Sequence, residues 1–441
     1  MTRVCVVGVG KIGLPLALLL AKANHTVIGV DSNPAIFNQI KNNTFAAKLP
    51  SQERILLDKH LNKNLFLTED LGKGLTDSEV IFISIGTSVG PDGIPDLSNA
   101  FNLIEKICAF NSQIKGKLFI LKSTLPIGTT RGIASIIQEK TGLSCGVDFF
   151  FAFCPERVLG DKALIEMGSL PKIIGGMDIA SSEKAAQIYR TIGGKIKIVD
   201  SPEIAEMVKL LDNSYRQTIF AFSNDFALLS GKYGVNAFEV IEAANYDYPR
   251  NNIPFPSCGV SGYCLTKDPI YLEQSFKNIT HHRGFPSVWF MARKTNDYMP
   301  IHIVNLVRQK LKFVGRFLEN SRVMVCGIAY KANTSDVRNS HGLEITRMLC
   351  EQGADVIIWD PNVLEPVPGF KVVQKFDEVL PTVDAIVFTV KHDEFLRFNQ
   401  NDYIIHAIEK MRTPVIVDGC GIFQQLIGKK GILYTGVGTE S

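Results

Sequence analysis

Directly after the β-branched run Val4-Cys5-Val6-Val7 the chain reads Gly8-Val9-Gly10-Lys11-Ile12-Gly13 and passes into a helix-like apolar stretch from Leu14. A glycine triplet at this spacing is weak evidence by itself. Set between a strand and a helix it demands a βαβ unit, the glycines serving a tight turn, close approach of a pyrophosphate and close helix packing. The helix N-terminus then points at the phosphates. The second strand, Thr26-Val27-Ile28-Gly29-Val30, ends at Asp31, about 20 residues further on, where a carboxylate accepts from a ribose 2′-hydroxyl and repels a 2′-phosphate. The expected cofactor is therefore NAD rather than NADP, held by Gly8, Val9, Gly10, Lys11, Ile12, Gly13 and Asp31, with Lys11 solvated rather than catalytic. The bland alternative is a glycine turn that only packs helix on strand.

Further short β-branched runs, Val80–Ser84 and Leu118–Leu121, alternate with longer helix-like stretches and predict a parallel sheet with crossover helices. From Pro202 to about Gly231 the pattern changes: Ile204, Met207, Val208, Leu211, Tyr215 and Ile219 recur at helical spacing. One long central helix is expected there, its length calling for burial against another element, which a second copy of the chain would supply. Near Arg322 the opening returns. Arg3-Val4-Cys5-Val6-Val7-Gly8 is answered by Arg322-Val323-Met324-Val325-Cys326-Gly327, and Val27–Asp31 by Val356-Ile357-Ile358-Trp359-Asp360. The second copy lacks the fingerprint, offers Lys331 instead, and should bind something other than a dinucleotide. The fold class is α/β: two Rossmann-like doubly wound sheets joined by a central helical domain, with domains expected at 1–200, 201–300 and 301–441.

A chain of 441 residues exceeds what one core supports. Forty-seven basic against 44 acidic residues leave a charge of +3, too balanced for a nucleic-acid or membrane-surface binder. No signal peptide is read at Met1-Thr2-Arg3, and no apolar run approaches the ~20 residues of a membrane span. Nine scattered cysteines fit a reducing compartment better than a disulfide framework. The expected location is the cytoplasm, and no metal site is read.

Three clusters lie outside the fingerprint. Gly259-Val260-Ser261-Gly262-Tyr263-Cys264-Leu265-Thr266-Lys267-Asp268-Pro269 is a glycine-containing loop entering a helix, with a thiol at its end and a lysine three positions on. Such a thiol should be partly thiolate. Against that stand the ordinary structural cysteine and Asp268-Pro269 as an N-cap followed by proline at N1. Lys209 and Asn213 are four apart and share one helix face, where a cation and an amide can hold an oxyanion; a surface stripe reads equally well. In Cys154-Pro155-Glu156-Arg157-Val158 the carboxylate can position water, although a lone surface glutamate is the commoner meaning.

Taken in order, the fingerprint, Lys122-Ser123-Thr124-Leu125-Pro126-Ile127-Gly128-Thr129-Thr130, the Cys154–Val158 run, Ala205–Leu210 through Asn213, the Cys264 loop, and Ala329-Tyr330-Lys331 through Asp336-Val337-Arg338 resemble the UDP-glucose/GDP-mannose dehydrogenase family from end to end. The resemblance implies an NAD-binding first domain, a central dimerisation domain and a nucleotide-binding last domain. It implies that Cys264 traps a C6 aldehyde as a thiohemiacetal that is oxidised to a thioester, that Lys209 and Asn213 stabilise oxyanions, that Asp268 and Thr124 move protons through water, and that Glu156 directs thioester hydrolysis. Lys331 and Tyr330 would meet the substrate's diphosphate, Glu156, Arg157, Val158, Ser257 and Gly259 the sugar, and Arg250 the sugar across a dimer contact. Thr124, Arg338 and Ile83 to Thr87 would lie against the cofactor.

Two departures from the family pattern stand out. The stretch before the nucleophile is thinned to Pro256-Ser257-Cys258-Gly259-Val260-Ser261, and Asp418-Gly419-Cys420 carries no cation where the family often has arginine. The Arg157-Val158 form resembles the branch acting on UDP-N-acetylhexosamines, which is the expected substrate class. UDP-glucose or GDP-mannose oxidation, a two-electron hydroxyacid or sugar-phosphate dehydrogenase, and a non-catalytic nucleotide-sugar- or NAD-binding regulator remain as alternatives.

Overall fold

Runs of β-branched and aromatic residues with no polar interruption make strands that are buried on both faces, and such strands belong to parallel sheets covered by helices. In a computed structural model describing residues 1–42, 51–90, 93–277 and 285–439, the chain forms two compact units, one comprising Met1–Asp212 with the chain from Ile270 to Lys277, the other Asn213–Pro269 with the chain from Phe285 onward.

The strands of the first unit are β1 (Arg3–Val7), β2 (Thr26–Val30), β3 (Leu65–Thr68), β4 (Val80–Ile83), the short antiparallel pair β5 (Ser88–Val89) and β6 (Pro95–Asp96), β7 (Leu118–Leu121), β8 (Phe150–Phe153), β9 (Lys172–Gly176) and β10 (Ile196–Val199). Apart from the β5–β6 pair they form one sheet in the order β10-β9-β8-β7-β4-β1-β2-β3. It is parallel except where β8 meets β9. Chain order reverses between β1 and β4, the switch point at which doubly wound sheets bind ligands. The helix Gly13–Lys22 is buried along nearly its whole length, because Leu14, Leu16, Leu18 and Leu20 all pack into one core with Val4, Val6 and Phe82.

The second unit repeats the plan in β11 (Arg322–Cys326), β12 (Asp355–Trp359), β13 (Lys371–Val372), β14 (Ala385–Phe388), β15 (Val415–Asp418) and β16 (Leu433–Gly436), ordered β13-β12-β11-β14-β15-β16. All its strand pairs are parallel. The echo of the two ends is thus an echo of two first strands, β1 and β11. The long central helix runs Pro202–Lys232, as its spacing predicts. All nine cysteines are reduced. Among the described residues no helix is long and apolar enough to cross a membrane.

Candidate functional site

The fingerprint glycines of the first unit have three distinct physical reasons. Gly8 sits at φ +90° with β4 so close that an added Cβ would lie 2.4 Å from the Ser84 carbonyl oxygen. An added Cβ on Gly13 would lie 1.8 Å from the Gly8 oxygen, so the helix packs on its own turn. Gly10 has nothing within 4 Å of its would-be Cβ; its bareness serves a cradle open to a ligand, not the protein's own packing. The helix behind it begins without a side-chain cap or an acidic first turn, leaving its amide end suited to phosphate. Asp31, just beyond β2, accepts from the Val9 N–H through Oδ2 and from the Asn33 N–H through Oδ1, each at 3.0 Å. It is half-buried, and each oxygen keeps acceptor capacity for ribose hydroxyls. Lys11 is exposed and Ile12 packs on the core. At the carboxyl ends of β4 and β7 the Thr87 hydroxyl donates to the Thr124 carbonyl at 2.9 Å and Ser123 to the Ile85 carbonyl at 2.7 Å, which ties together the two loops on one side of the switch-point crevice. These residues fit a dinucleotide.

Glu156 is no lone surface carboxylate. It follows β8, is almost buried, and pairs with the buried Lys122 ammonium at 3.0 Å, which itself donates to the Tyr189 hydroxyl at 3.1 Å. Burial pushes its carboxyl up, but the Lys122 charge and hydrogen bond outweigh that and hold it below the usual range. Arg157 is held by Asp212 at 3.2 Å and donates to the Pro171 carbonyl, while Val158 packs on the core of the unit. Lys209 is half-buried on the central helix. Its neighbour Glu206 carries a task that sequence reasoning missed: it accepts from the Gly128 and Thr130 N–H groups at 2.6 and 2.8 Å, capping the helix Thr129–Thr141, whose own N-cap residue, Gly128, has no side chain.

In the second unit Cys264 is the second residue of the helix Tyr263–Lys277 and is exposed, as is only Cys350 among the other cysteines. The loop before it needs glycine at 262, where φ is +87° and an added Cβ would lie 2.4 Å from the Tyr330 ring. The expected N-cap at Asp268 is corrected here. The helix starts six residues before the expected first residue Pro269, at the Gly262 turn, and runs through Pro269, whose ring removes one backbone donor and crowds the carbonyl of the preceding turn. Asp268 is therefore interior and one turn beyond Cys264. Its buried carboxylate accepts from the Asn213 amide at 2.5 Å and pairs with Lys267 at 3.1 Å. A thiol in a first helical turn stands near the positive end of the helix dipole, one turn from the buried lysine–aspartate–asparagine cluster.

The same unit holds a cleft of about 530 Å³ whose lining includes Ser257, Gly259, Tyr330, Lys331, Lys391 and Cys420. Phe238 and Phe255 lie 5.5 Å apart ring to ring on its wall. Gly259 is required by φ +93° and by the Asn296 carbonyl 2.4 Å from a would-be Cβ; the Ser257 N–H donates to Asn224 at 2.8 Å. Lys391, which no motif in the sequence marks, supplies a cation to a cleft that Cys420 does not. Arg338 is locked to Asp336 by bonds of 2.9 and 2.7 Å, and Arg250 is exposed over the Tyr248 ring. Asp360 stands where Asp31 stands in the first unit, but it is fully buried and all its bonds go to protein, namely the Ile328, Ala329, Asn362 and Val363 N–H groups and His392. This is the physical reason the second sheet does not repeat the ribose site. Among the described residues no three metal-ligating side chains cluster.

A glycine cradle that fits a dinucleotide on one doubly wound sheet, with an exposed cysteine at a helix start and a cation-bearing cleft in the other unit, is the arrangement of an NAD-dependent dehydrogenase. The chain belongs to the UDP-glucose/GDP-mannose dehydrogenase family: residues 2–193 match its NAD binding domain, 203–298 its central domain and 324–425 its UDP binding domain. It is thus an NAD-dependent nucleotide-sugar dehydrogenase. A UDP-N-acetyl-D-mannosamine dehydrogenase of Methanococcus maripaludis is 33% identical over 97% of this chain and 95% of its own length. The structure of the UDP-D-ManNAc dehydrogenase of Pyrococcus horikoshii superposes with a TM-score of 0.87 at 30% identity, covering 99% of each chain. A UDP-glucose dehydrogenase from Pyrobaculum islandicum gives 0.86 at 27% identity, covering 99% of this chain and 98% of that one.

Proposed function

We propose that this enzyme oxidises the C6 alcohol of a UDP-N-acetylhexosamine, UDP-N-acetylmannosamine first, to the uronate, in two NAD-dependent steps relayed by Cys264. The observation that carries the reading is the exposed thiol in a first helical turn, one turn from the buried Asn213–Asp268–Lys267 cluster. The sugar assignment draws on the names of the relatives and on Arg157-Val158.

Bound NAD is the hydride acceptor for both oxidations. Cys264 adds as thiolate to the C6 aldehyde, forming a C–S bond and an alkoxide that Lys209 and Asn213 stabilise. Asn213 commits one amide hydrogen to Asp268 and so is fixed in orientation. Asp268 and Thr124 pass protons through water. After the second oxidation Glu156, kept ionised by Lys122, accepts a proton from the water that cleaves the thioester, returning Cys264 and releasing carboxylate. Tyr330 and Lys331 hold the diphosphate, with Ser257 and Gly259 toward the sugar. A homodimer forms through the central helix and brings Arg250 to the sugar of the partner subunit.

The test is stoichiometry on a panel of UDP- and GDP-sugars. Two NADH per sugar and loss of uronate in Cys264→Ala, with NAD binding intact, are expected. One NADH per sugar, or carboxylate formed at the normal rate by Cys264→Ala, overturns the relay; turnover of UDP-glucose alone overturns the sugar assignment.

A further inference from the structure

The segment Gly327–Asn333, which follows β11, contributes Ala329, Tyr330, Lys331 and Ala332 to the cleft lining. It is secured at both ends by one buried pair of side chains. At its start the Ile328 and Ala329 N–H groups donate to Asp360 Oδ2 at 2.7 and 3.1 Å. At its end the Asn333 N–H donates to His392 Nδ1 at 2.9 Å. A backbone N–H can only donate, so Nδ1 is the acceptor nitrogen and Nε2 carries the hydrogen, which faces Asp360 Oδ2 at 3.3 Å. The neutral imidazole thus closes a bridge from one end of the segment to the other. Asn333 at φ +57° makes the return possible, and its side chain accepts from the Asp393 N–H at 3.1 Å.

His392 is fully buried and directly follows Thr389, Val390 and Lys391, which also line the cleft. Both lysines of the lining, Lys331 and Lys391, are therefore on segments that this one ring anchors. Burial works against ionisation of Asp360, yet the His392 hydrogen bond and the backbone donors hold its carboxyl below the usual range, so the brace keeps its acceptor charged.

We propose that His392, acting with Asp360, is a positioning residue for the nucleotide-sugar substrate: it holds Lys331 and Lys391 in the arrangement that takes a nucleoside diphosphate, without touching the ligand. The proposal rests on reading the cleft as the nucleoside diphosphate site. A loop that is ordered only part of the time binds more weakly in proportion to its competent fraction, so a loop ordered one time in ten raises the apparent Kd about tenfold.

The experiment measures UDP and NAD binding by calorimetry on the full-length chain, with KM and kcat, for His392→Asn, His392→Gln and Lys331→Met. His392→Asn keeps an acceptor for the Asn333 N–H and loses the donor to Asp360; His392→Gln tests the reverse. Expected is a rise of about tenfold in UDP Kd and in sugar KM for His392→Gln, a smaller rise for His392→Asn, and NAD Kd and kcat within about twofold of wild type. Should the variants not fold, amide exchange in the wild-type chain decides, UDP slowing exchange at Ile328, Ala329 and Asn333. If Lys331→Met weakens UDP while folded His392 variants bind it normally, or UDP protects none of those amides, the positioning role is overturned. If Lys331→Met also leaves UDP binding unchanged, the cleft assignment itself has failed.

Discussion

His341 donates from Nδ1 to the Cys258 carbonyl at 2.8 Å and is buried where charge is costly. Burial first, and the Arg293 charge second, pull its pKa down to about 4. A histidine neutral in the native state and ionisable when unfolded contributes stability that is complete above about pH 6.5 and is lost as pH falls toward 4. The loss over that window is on the order of 3 kcal/mol; Glu344, whose carboxyl burial raises, titrates with the opposite sign and shallows the slope. Both tryptophans, Trp289 and Trp359, belong to the second unit, so urea unfolding followed by their fluorescence at pH 7.5 and pH 4.5 should reveal the drop, and His341→Gln should flatten it. Asp31 yields a second expectation. Asp31→Ala should weaken NAD by roughly 1.5–3 kcal/mol, the worth of a hydrogen bond to a charged group, and NADP less; equal losses in a calorimetric titration contradict the ribose contact. The placement of single residues was legible where a motif surrounds them, as with Asp31 just beyond β2 and Cys264 at the start of its helix. Lys391, Asp360 and His392 were not, because what unites them is a fold that brings β11, β12 and β14 side by side, and nothing local in the sequence encodes that adjacency.

At the level of elements, the strand–glycine–helix opening was readable in full, and the structure separates what its glycines do. Gly10→Ala meets no atom of the protein, so it should unfold at the wild-type urea midpoint and yet bind NAD at least about tenfold more weakly, ~1.4 kcal/mol. Gly13→Ala drives a Cβ into a backbone oxygen and should cost about 1–3 kcal/mol of stability by overpacking. A Gly10→Ala chain that binds NAD normally removes the pyrophosphate from that cradle. The start of the cysteine helix was misread for an identifiable reason. Asp-Pro is a strong local start signal, but the Gly262 turn, packed under Tyr330, sets the start earlier, and the tertiary contact prevails over the local preference. Pro269 then sits inside the helix, and Asp268 faces Asn213 instead of capping a turn.

For the whole molecule, two copies of one sheet plan were visible as a repeat of two strands, because parallel strands buried on both faces have little freedom in composition. That the second copy takes a different ligand was readable from its missing glycine fingerprint, but the different states of the two aspartates, Asp31 half-buried and Asp360 with its bonds spent on protein donors, were not, since both copies follow the second strand with the same residue. The central helix holds the remaining expectation. Ile204, Met207, Leu211, Tyr215, Phe222 and Leu229 are all exposed, and their spacings of three, four or seven keep them in one row along Pro202–Lys232. A row of large apolar side chains left in water is unfavourable by about 25 cal/mol per Å², and a second copy of the same row is self-complementary about a two-fold axis. Leu211→Glu combined with Phe222→Glu would place four carboxylates in such an interface, where burial of unpaired charge is strongly disfavoured. Light scattering at micromolar concentration should therefore give a dimer for the wild-type chain and a monomer for the double variant, with Arg250→Ala affecting turnover only in the dimer. A double variant that elutes with the wild-type mass places the subunit contact on another face.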